Sequence, residues 1–127
     1  MRYRPFGRSG AAVSSLSLAF DEQPMSDAAR AGLIYAALES GVNTFELRIW
    51  DPQAAAVLGQ ALSTVDRRMV FVVLRLGWSL DERGRPVRDL GREAMVAAIK
   101  GFLGRSGLGF IDVALVEACD GEAMPPH

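Results

Sequence analysis

The sequence predicts an α/β fold in which four short strands alternate with three amphipathic helices. The run MVFVVLRL (69–76) is apolar over the length of one strand, which is typical of a parallel strand covered on both faces. Helical spacing precedes and follows it, and the order strand, helix, strand implies right-handed parallel crossovers. Half of the 127 residues are hydrophobic and 23% are charged, which indicates one globular domain over 1–127.

The first half of the chain contains a hairpin, two strands and two helices. YRPFGRSGAAVSSL has two glycine-centred turns and is typical of a hairpin, and LSLAF follows as the first strand. Ser26 is a good N-cap for a helix to about Ser40, which Gly41 ends. TFEL is the second strand, and a second helix spans about Gln53 to Ser63. The residues predicted on the apolar faces of these helices are Leu33, Ile34, Ala37 and Leu38, then Val57, Leu58 and Leu62.

After the third strand, SLDERGRPVRDLG predicts a polar loop that turns at Gly84. A third helix runs from about Arg92 to Leu103, and FIDVALV is the fourth strand. GFLGRSGLG (101–109) follows a helix and precedes a strand, the reverse of the order that a phosphate loop needs, so it predicts helix termination. The apolar face of the third helix comprises Met95, Val96, Ile99 and Phe102.

The charge and cysteine content exclude several classes of partner. The formal net charge is −1, without a run of either sign, so neither nucleic acid nor an anionic membrane is an expected partner. No apolar stretch has membrane-spanning length, and the amino terminus is too polar for a secretory signal. Cys119 is the only cysteine, which excludes an internal disulfide and a cysteine-based metal cluster. These features predict a cytoplasmic protein without a metal site.

Few reactive side chains are present. The single histidine, His127, is the last residue and is given no role. Lys100 is the only lysine and is predicted on the solvated side of the third helix, while Tyr35 is predicted to pack against its neighbours. Cys119 has no histidine base beside it, which favours an inert thiol. Most acid–base and nucleophilic mechanisms use these residue types, so few enzymes can be assembled from this chain.

Charged residues stand at the carboxyl ends of three predicted strands. Glu46, Arg75 and Glu117 lie at or just beyond the carboxyl ends of the second, third and fourth strand, where α/β folds place ligand-handling residues. The alternative is an ion-pair network that seals this end of the sheet. Acid–base hydrolysis by the two carboxylates lacks a second catalytic feature. Asp51, followed by Pro52, is typical of a helix N-cap.

Several segments together carry a family resemblance. YRPFGRSGAAVSSLSLAF, LIYAALESGVNTFELRIWDPQAAAVLGQAL, VFVVLRLG and FIDVALVEACD resemble, in order and spacing, the amino-terminal part of the aldo-keto reductases. The resemblance covers nearly the whole chain, and the hairpin with ESGVNTFE is its most specific piece. It implies half of a (β/α)8 barrel: four parallel strands, three crossover helices and an amino-terminal hairpin. A full barrel needs about 250 residues.

The resemblance also implies where the catalytic groups of this carbonyl-reducing, NADP(H)-dependent family would fall. The aspartate falls on Glu46, the tyrosine on Asp51, the lysine on Arg75 and the histidine on Glu117, so all four positions differ. An ordinary aspartate is ionised at neutral pH and cannot replace a phenol as the acid that protonates an alkoxide. Arginine keeps the charge of lysine but does not give up its proton. The resemblance therefore implies a pseudoenzyme.

The predicted function is thus an inactive aldo-keto-reductase-like protein that acts by binding or assembly. No cofactor is expected, because in the family most groups that hold the nucleotide lie in the second half of the barrel. The alternative is an NADP(H)-dependent oxidoreductase, in which these residues are a fragment of a longer chain or pair with a subunit that supplies the missing groups. A third possibility is an eroded gene product with no selected role.

Two structural expectations follow. Half a barrel leaves two strand edges open and its inner face uncovered, which predicts a homo-oligomer or a protein partner that covers them. Side-by-side strands bring Arg75 between Glu46 and Glu117, so its guanidinium is predicted to bridge both carboxylates. If this pairing is buried, Arg75→Ala should cost ~3–5 kcal/mol. Arg48 is predicted to be a loop residue and Asp51 a helix cap.

Overall fold

The computed structural model describes residues 1–20, 25–48 and 52–117. The predicted helix cap at Asp51, the thiol of Cys119 and the terminal His127 lie outside these residues. In chain order the elements are β1 (Tyr3–Pro5), β2 (Ala12–Ser14), β3 (Leu18–Ala19), α1 (Asp27–Glu39), β4 (Thr44–Arg48), α2 (Pro52–Ala61), β5 (Phe71–Leu76), β6 (Trp78–Leu80), β7 (Pro86–Arg88), α3 (Arg92–Ser106) and β8 (Val113–Val116). None of the helices in these ranges is long and apolar enough to cross a membrane.

Four parallel strands form the central sheet, in the order β3-β4-β5-β8. Phe45 lies opposite Val72, and Leu74 lies opposite Ala114. Helices α1, α2 and α3 each connect one strand of this sheet to the next. The predicted α/β fold with three crossover helices is confirmed, and the strand order is that of half a (β/α)8 barrel.

The core lies between one face of this sheet and the three helices. Successive strand residues point to opposite faces, and the side chains of β4 and β5 on the helix side are almost completely buried. They include Phe45, Leu47, Val72, Leu74 and Leu76, against Ile34 of α1, Leu58 of α2 and Phe102 of α3. The other face is called the inner face here, and its described strand residues are Ala19, Thr44, Glu46, Arg48, Phe71, Val73, Arg75, Val113 and Leu115.

Two residues predicted on apolar helix faces are exposed instead. Leu33 of α1 and Val96 of α3 reach solvent, so their predicted burial is wrong. Successive helix residues are rotated by about 100° around the helix axis. The stripe of α1 that contacts the sheet is centred on Ile34 and is narrower than the set of apolar residues in the sequence, so Leu33 lies outside it. The predicted burial of Val57, Leu58 and Leu62 is confirmed.

The helix ends follow local sequence signals. The hydroxyl of Ser26 accepts a hydrogen bond from the backbone N–H of Ala29 at 3.2 Å, as expected of an N-cap. Helix α3 extends past its predicted end at Leu103 to Ser106, and Gly107 ends it with a positive φ of 68°. Only glycine adopts this conformation without strain, so the termination predicted for GFLGRSGLG is confirmed.

The predicted opening hairpin is confirmed and lies at the amino end of the sheet. Strand β1 pairs with β2 in antiparallel register. The Tyr3 hydroxyl donates to the carbonyl of Gly41 at 2.6 Å, and the ring centroids of Phe6 and Phe71 are 4.9 Å apart. The hairpin therefore covers the amino end of its own half of the inner face.

A second hairpin replaces the polar loop predicted for SLDERGRPVRDLG. Strand β6 pairs with β7 in antiparallel register, and the chain turns at Gly84, where φ is 75°. The carboxylate of Asp81 accepts hydrogen bonds from the backbone N–H groups of Arg83 and Arg85, each at 2.9 Å, and so closes the turn. The loop prediction is wrong because the arginines and acidic residues conceal the short alternating strands. Hydrogen bonds from the backbone and guanidinium of Arg85 lower the pKa of Asp81.

Candidate functional site

Strand alternation and register place four charged side chains together on the inner face. Glu46 and Arg48 are two residues apart on β4, so they share this face. Arg48 lies opposite Arg75 of β5, and Arg75 lies opposite Leu115 of β8. Glu117 follows Leu115 by two residues and comes to the same face just beyond the strand. We call Glu46, Arg48, Arg75 and Glu117 the strand-end cluster.

Arg75 contacts both carboxylates, as the sequence predicts. Its Nη2 is 2.6 Å from Oε1 of Glu117, a short charge-assisted contact. Its Nε is 3.3 Å from Oε1 of Glu46, but this buried N–H does not point along a hydrogen bond. The contact with Glu46 is therefore an ion pair, and Glu117 is the stronger partner. The predicted clamp is confirmed, with unequal arms.

Arg48 is also part of the cluster, which corrects its predicted role as a loop residue. It is the last residue of β4, and its Nη2 lies 3.8 Å from Oε1 of Glu117. Two guanidinium groups thus share one carboxylate oxygen. The cluster combines two carboxylates with two guanidinium groups, so its formal charges cancel.

The β6–β7 hairpin also contacts the cluster. Trp78 Nε1 donates to Oε2 of Glu117 at 2.8 Å, and the Arg88 guanidinium carbon lies 5.0 Å from the centroid of the Trp78 ring. Gly77 makes this possible, because its φ of 111° turns the chain directly from β5 into β6. The role of Trp78 was not predicted, since the segment from Ser79 onward, with which it pairs, was interpreted as a loop. The signal available in the sequence was a glycine and a tryptophan immediately after an apolar strand.

Partial exposure of the cluster lowers its expected contribution to stability. The side chains of Glu46, Arg75 and Glu117 retain 22%, 29% and 19% of their accessible surface. Water therefore screens the charges, and a carboxylate that loses its partner can be hydrated. The ~3–5 kcal/mol expected for a buried pair is too large, and a cost of about 1–2 kcal/mol fits an intermediate environment.

Within the described ranges, the tyrosines and the lysine lie away from the strand-end cluster. Tyr3 lies at the amino end of the sheet, Tyr35 is exposed on α1, and the exposed Lys100 is on α3. None of them belongs to the strand-end cluster. Within the described ranges, no group of three His, Cys, Asp or Glu side chains could hold a metal ion. The cluster can therefore hold charged groups of both signs close together, and it can accept or donate hydrogen bonds. Its correspondence to the family's catalytic positions stays a prediction.

A separate cleft at the amino end of the sheet has a structural explanation. It encloses about 380 Å³ and is lined in part by Tyr3, Met69 and Asp112. The Asp112 carboxylate accepts hydrogen bonds at 2.8 Å from the Arg67 guanidinium and from the Val72 N–H. These contacts join β5 to the start of β8, so they explain the charges here without a ligand.

Comparisons with known proteins identify similar architectures only among solved structures. No protein-family model matches the sequence, and no curated protein matches it. Among solved structures, a protein of Pseudomonas aeruginosa described as an aldo-keto reductase by similarity aligns with a TM-score of 0.76 and 26% identity, over 94% of this chain and 47% of that chain.

Two further solved structures show the same fold at lower identity. An aldo-keto reductase of Bacillus halodurans in its holo form aligns with a TM-score of 0.78 and 21% identity, over 91% of this chain and 40% of that one. A glycerol dehydrogenase of Gluconobacter oxydans aligns with a TM-score of 0.71 and 17% identity, over 90% and 38% of the two chains.

The fold and these matches define the class of protein. The chain is an α/β half barrel with the strand-end cluster at the carboxyl ends of its strands. Its architecture is that of the amino-terminal half of the aldo-keto reductases, and the resemblance inferred from the sequence is confirmed. The chain spans less than half the length of the solved structures it matches.

Proposed function

We propose that this chain is an aldo-keto-reductase-like protein without carbonyl reductase activity, which acts by binding or assembly in the cytoplasm. The observation that carries the proposal is the clamp on Arg75. Its guanidinium lies 2.6 Å from a Glu117 oxygen and 3.3 Å from a Glu46 oxygen. The cation at the position that the resemblance assigns to a catalytic lysine is therefore held between two carboxylates, in a static arrangement.

The chemistry of the cluster supports inactivity. Carbonyl reduction needs a group that gives a proton to the developing alkoxide, and the resemblance assigns that role to a tyrosine. An arginine side chain stays protonated throughout the physiological range and so is a poor proton donor. The remaining described members of the cluster are carboxylates that already accept contacts from guanidinium groups or from Trp78. The described cluster therefore offers no replacement for a phenol.

We propose further that the chain binds neither NADP(H) nor a metal ion. The resemblance to a family that uses a nicotinamide cofactor makes NADP(H) the cofactor to test. In that family most groups that hold the phosphates and adenine belong to the second half of the barrel, whereas this chain aligns with 47% of the Pseudomonas protein.

A reductase assay tests the proposal. The 127-residue chain is incubated with NADPH and a panel of aldehydes, and absorbance of the reduced cofactor is followed. We expect no turnover above background, because losing one catalytic acid alone typically costs ~10²–10⁴-fold. Turnover that is lost in Arg75→Ala or Glu46→Ala, but kept in the control Arg105→Ala on the exposed end of α3, would overturn the proposal.

The second candidate is an NADP(H)-dependent oxidoreductase completed by further polypeptide. The partial alignment favours it, because the chain covers under half of each matched structure. A titration of NADPH fluorescence separates the two candidates. Saturable binding by the 127-residue chain in the micromolar range favours the oxidoreductase, and a linear, unsaturated signal supports the proposal that this chain by itself does not bind NADP(H).

A further inference from the structure

We infer that the inner face of the sheet packs on a second copy of this chain, so that two four-stranded halves close one eight-stranded barrel about a twofold axis. The inference rests on the proposed function, since it names the partner through which the chain assembles. Three features of the described residues carry it: an uncovered apolar surface, two open parallel edges and a neutral charge cluster.

The inner face exposes apolar side chains that a complete barrel would bury. Leu115 lies opposite Arg75 and keeps 42% of its accessible surface, and Ala19 at the other edge is also exposed. Val73 and Val113 are opposite each other and half-buried. By contrast, Phe71 is covered by the Phe6 ring of the opening hairpin. The uncovered part is thus toward the carboxyl end, where the interior of a (β/α)8 barrel is normally filled by layers of side chains.

The two outer strands of the sheet complement each other. Strands β3 and β8 are the outermost strands, and among the described residues no strand pairs with their outer edges. All four strands of the sheet run in the same direction. A rotation of 180° about an axis along the barrel preserves that direction and brings β3 of one copy beside β8 of the other. A single symmetric arrangement therefore satisfies both open edges in parallel pairing.

The strand number and chain coverage fit this closure. The chain contributes four strands, and an aldo-keto-reductase-type barrel has eight. One copy aligns with 47% of the Pseudomonas protein, so a second copy would occupy a region of similar size. A continuation of the same polypeptide and a different protein are the competing occupants. A second copy is favoured over a different protein because its two open edges belong to the same parallel sheet and therefore match.

Charge does not oppose the closure. Both strand-end clusters would come to the same end of the barrel, but each contains two carboxylates and two guanidinium groups. The whole chain has a formal net charge of only −1. The opening hairpin remains under its own strands through the bond from Tyr3 to Gly41 and the contact of Phe6 with Phe71. Two copies can therefore meet without a large like-charge repulsion.

Light scattering tests the closure on the 127-residue chain. We expect a mass of twice 13.7 kDa at micromolar concentration. Leu115→Asp should weaken the dimer by ~10–100-fold, because it puts a charge where an apolar side chain is buried. Leu33→Asp is the control, since Leu33 has the same 42% exposure but lies on α1, outside the sheet. Leu115→Ser is a milder second variant, and circular dichroism checks that each variant is folded.

Hydrogen exchange distinguishes this dimer from other dimers. Closure of the barrel protects amides on the outer edges of both β3 and β8, and Leu115→Asp should release both sets. Protection of β8 alone would indicate antiparallel pairing between two β8 strands and would overturn the closure. A monomeric wild-type chain, or a dimer that Leu33→Asp breaks and Leu115→Asp does not, would also overturn it.

The reductase assay keeps this inference separate from the proposed function. An inactive monomer contradicts the closed barrel and leaves the proposed inactivity standing. A dimer that reduces aldehydes contradicts the proposed inactivity and leaves the closed barrel standing.

Discussion

The two faces of strand β5 show how differently one strand can be used. Val72 and Leu74 point toward the helices and are 0% exposed, whereas Val73 and Arg75 between and after them are only partly covered. Helices α1, α2 and α3 cover the helix side of β4 and β5. The difference indicates that the fold is stabilised mainly from the helix side.

The two arginines near the ends of β5 also differ in what they contact. Arg67, at the amino end, donates to the backbone carbonyls of Val70 at 2.9 Å and Phe110 at 2.7 Å, as well as to Asp112. It therefore holds segments of backbone together. Arg75, at the carboxyl end, contacts carboxylate side chains. Arg67 therefore stabilises the fold, whereas Arg75 balances the charge of the two carboxylates in the strand-end cluster.

The largest expected effect comes from the helix side of β5. Leu74→Ala should lower the free energy of unfolding by ~3–4 kcal/mol, because Leu74 is completely buried and leaves a cavity. Val73→Ala, one residue away on the inner face, is the control and should cost less than about 1 kcal/mol. Urea denaturation followed by circular dichroism measures both. Equal losses of unfolding free energy in the two variants would show that both faces of β5 contribute alike, and would contradict the conclusion that the helix side provides most of the stability.

The packing of α2 on α3 is the next test of the helix side. A Cβ atom on Gly59 would lie 1.9 Å from the Ser106 carbonyl oxygen, so Gly59→Ala must push the two helices apart. We expect a loss of ~2–3 kcal/mol. Gly101→Ala is the control, since a Cβ there meets nothing within 4 Å, and it should stabilise α3 by ~0.5–1 kcal/mol. A neutral Gly59→Ala would mean that the helix layer is loosely packed.

The two arginines test whether the ends of the sheet differ. Arg67→Met should cost ~2 kcal/mol, because it removes hydrogen bonds to two carbonyls and leaves Asp112 without its cation. Arg75→Met should cost ~1–2 kcal/mol, since Glu46 and Glu117 remain partly hydrated. Methionine keeps most of the apolar stem in each case. Thermal denaturation of the two variants compares their losses of stability. A larger loss for Arg75→Met than for Arg67→Met would show that Arg75, and not Arg67, is the arginine that stabilises the fold.

The smallest expected effect concerns the β6–β7 hairpin, which contacts the strand-end cluster through Trp78. Hydrogen bonds from Arg85 lower the pKa of Asp81. Because the folded pKa is depressed, this stabilisation is present above the ordinary aspartate pKa and is lost as the pH falls through the lowered value. Arg85→Ala should raise the Asp81 pKa toward its ordinary range, which carboxyl NMR titration measures. An unchanged pKa would assign the whole shift to the remaining backbone contacts.

Much of the candidate site could be predicted before its geometry was known. Strand period and parallel order place Glu46, Arg75 and Glu117 at one end of one sheet, and the clamp on Arg75 follows from their charges. Arg48 was missed because the predicted strand TFEL ends one residue before the observed end of β4. Trp78 was missed because a short charged hairpin has weaker periodicity than a buried strand.

The sequence alone determined the four strands of the central sheet, the three helices and their order, because strand and helix periods, the Ser26 cap and the turn glycines are local signals. It also determined that Arg75 meets Glu46 and Glu117, since parallel strands bring their carboxyl ends together. Only the tertiary structure decided how far each side chain is covered: Leu33 and Leu115 are equally exposed, although one lies on a helix and the other on the sheet. Exposure depends on what packs across from a residue, and contacts between segments distant in the chain decide that.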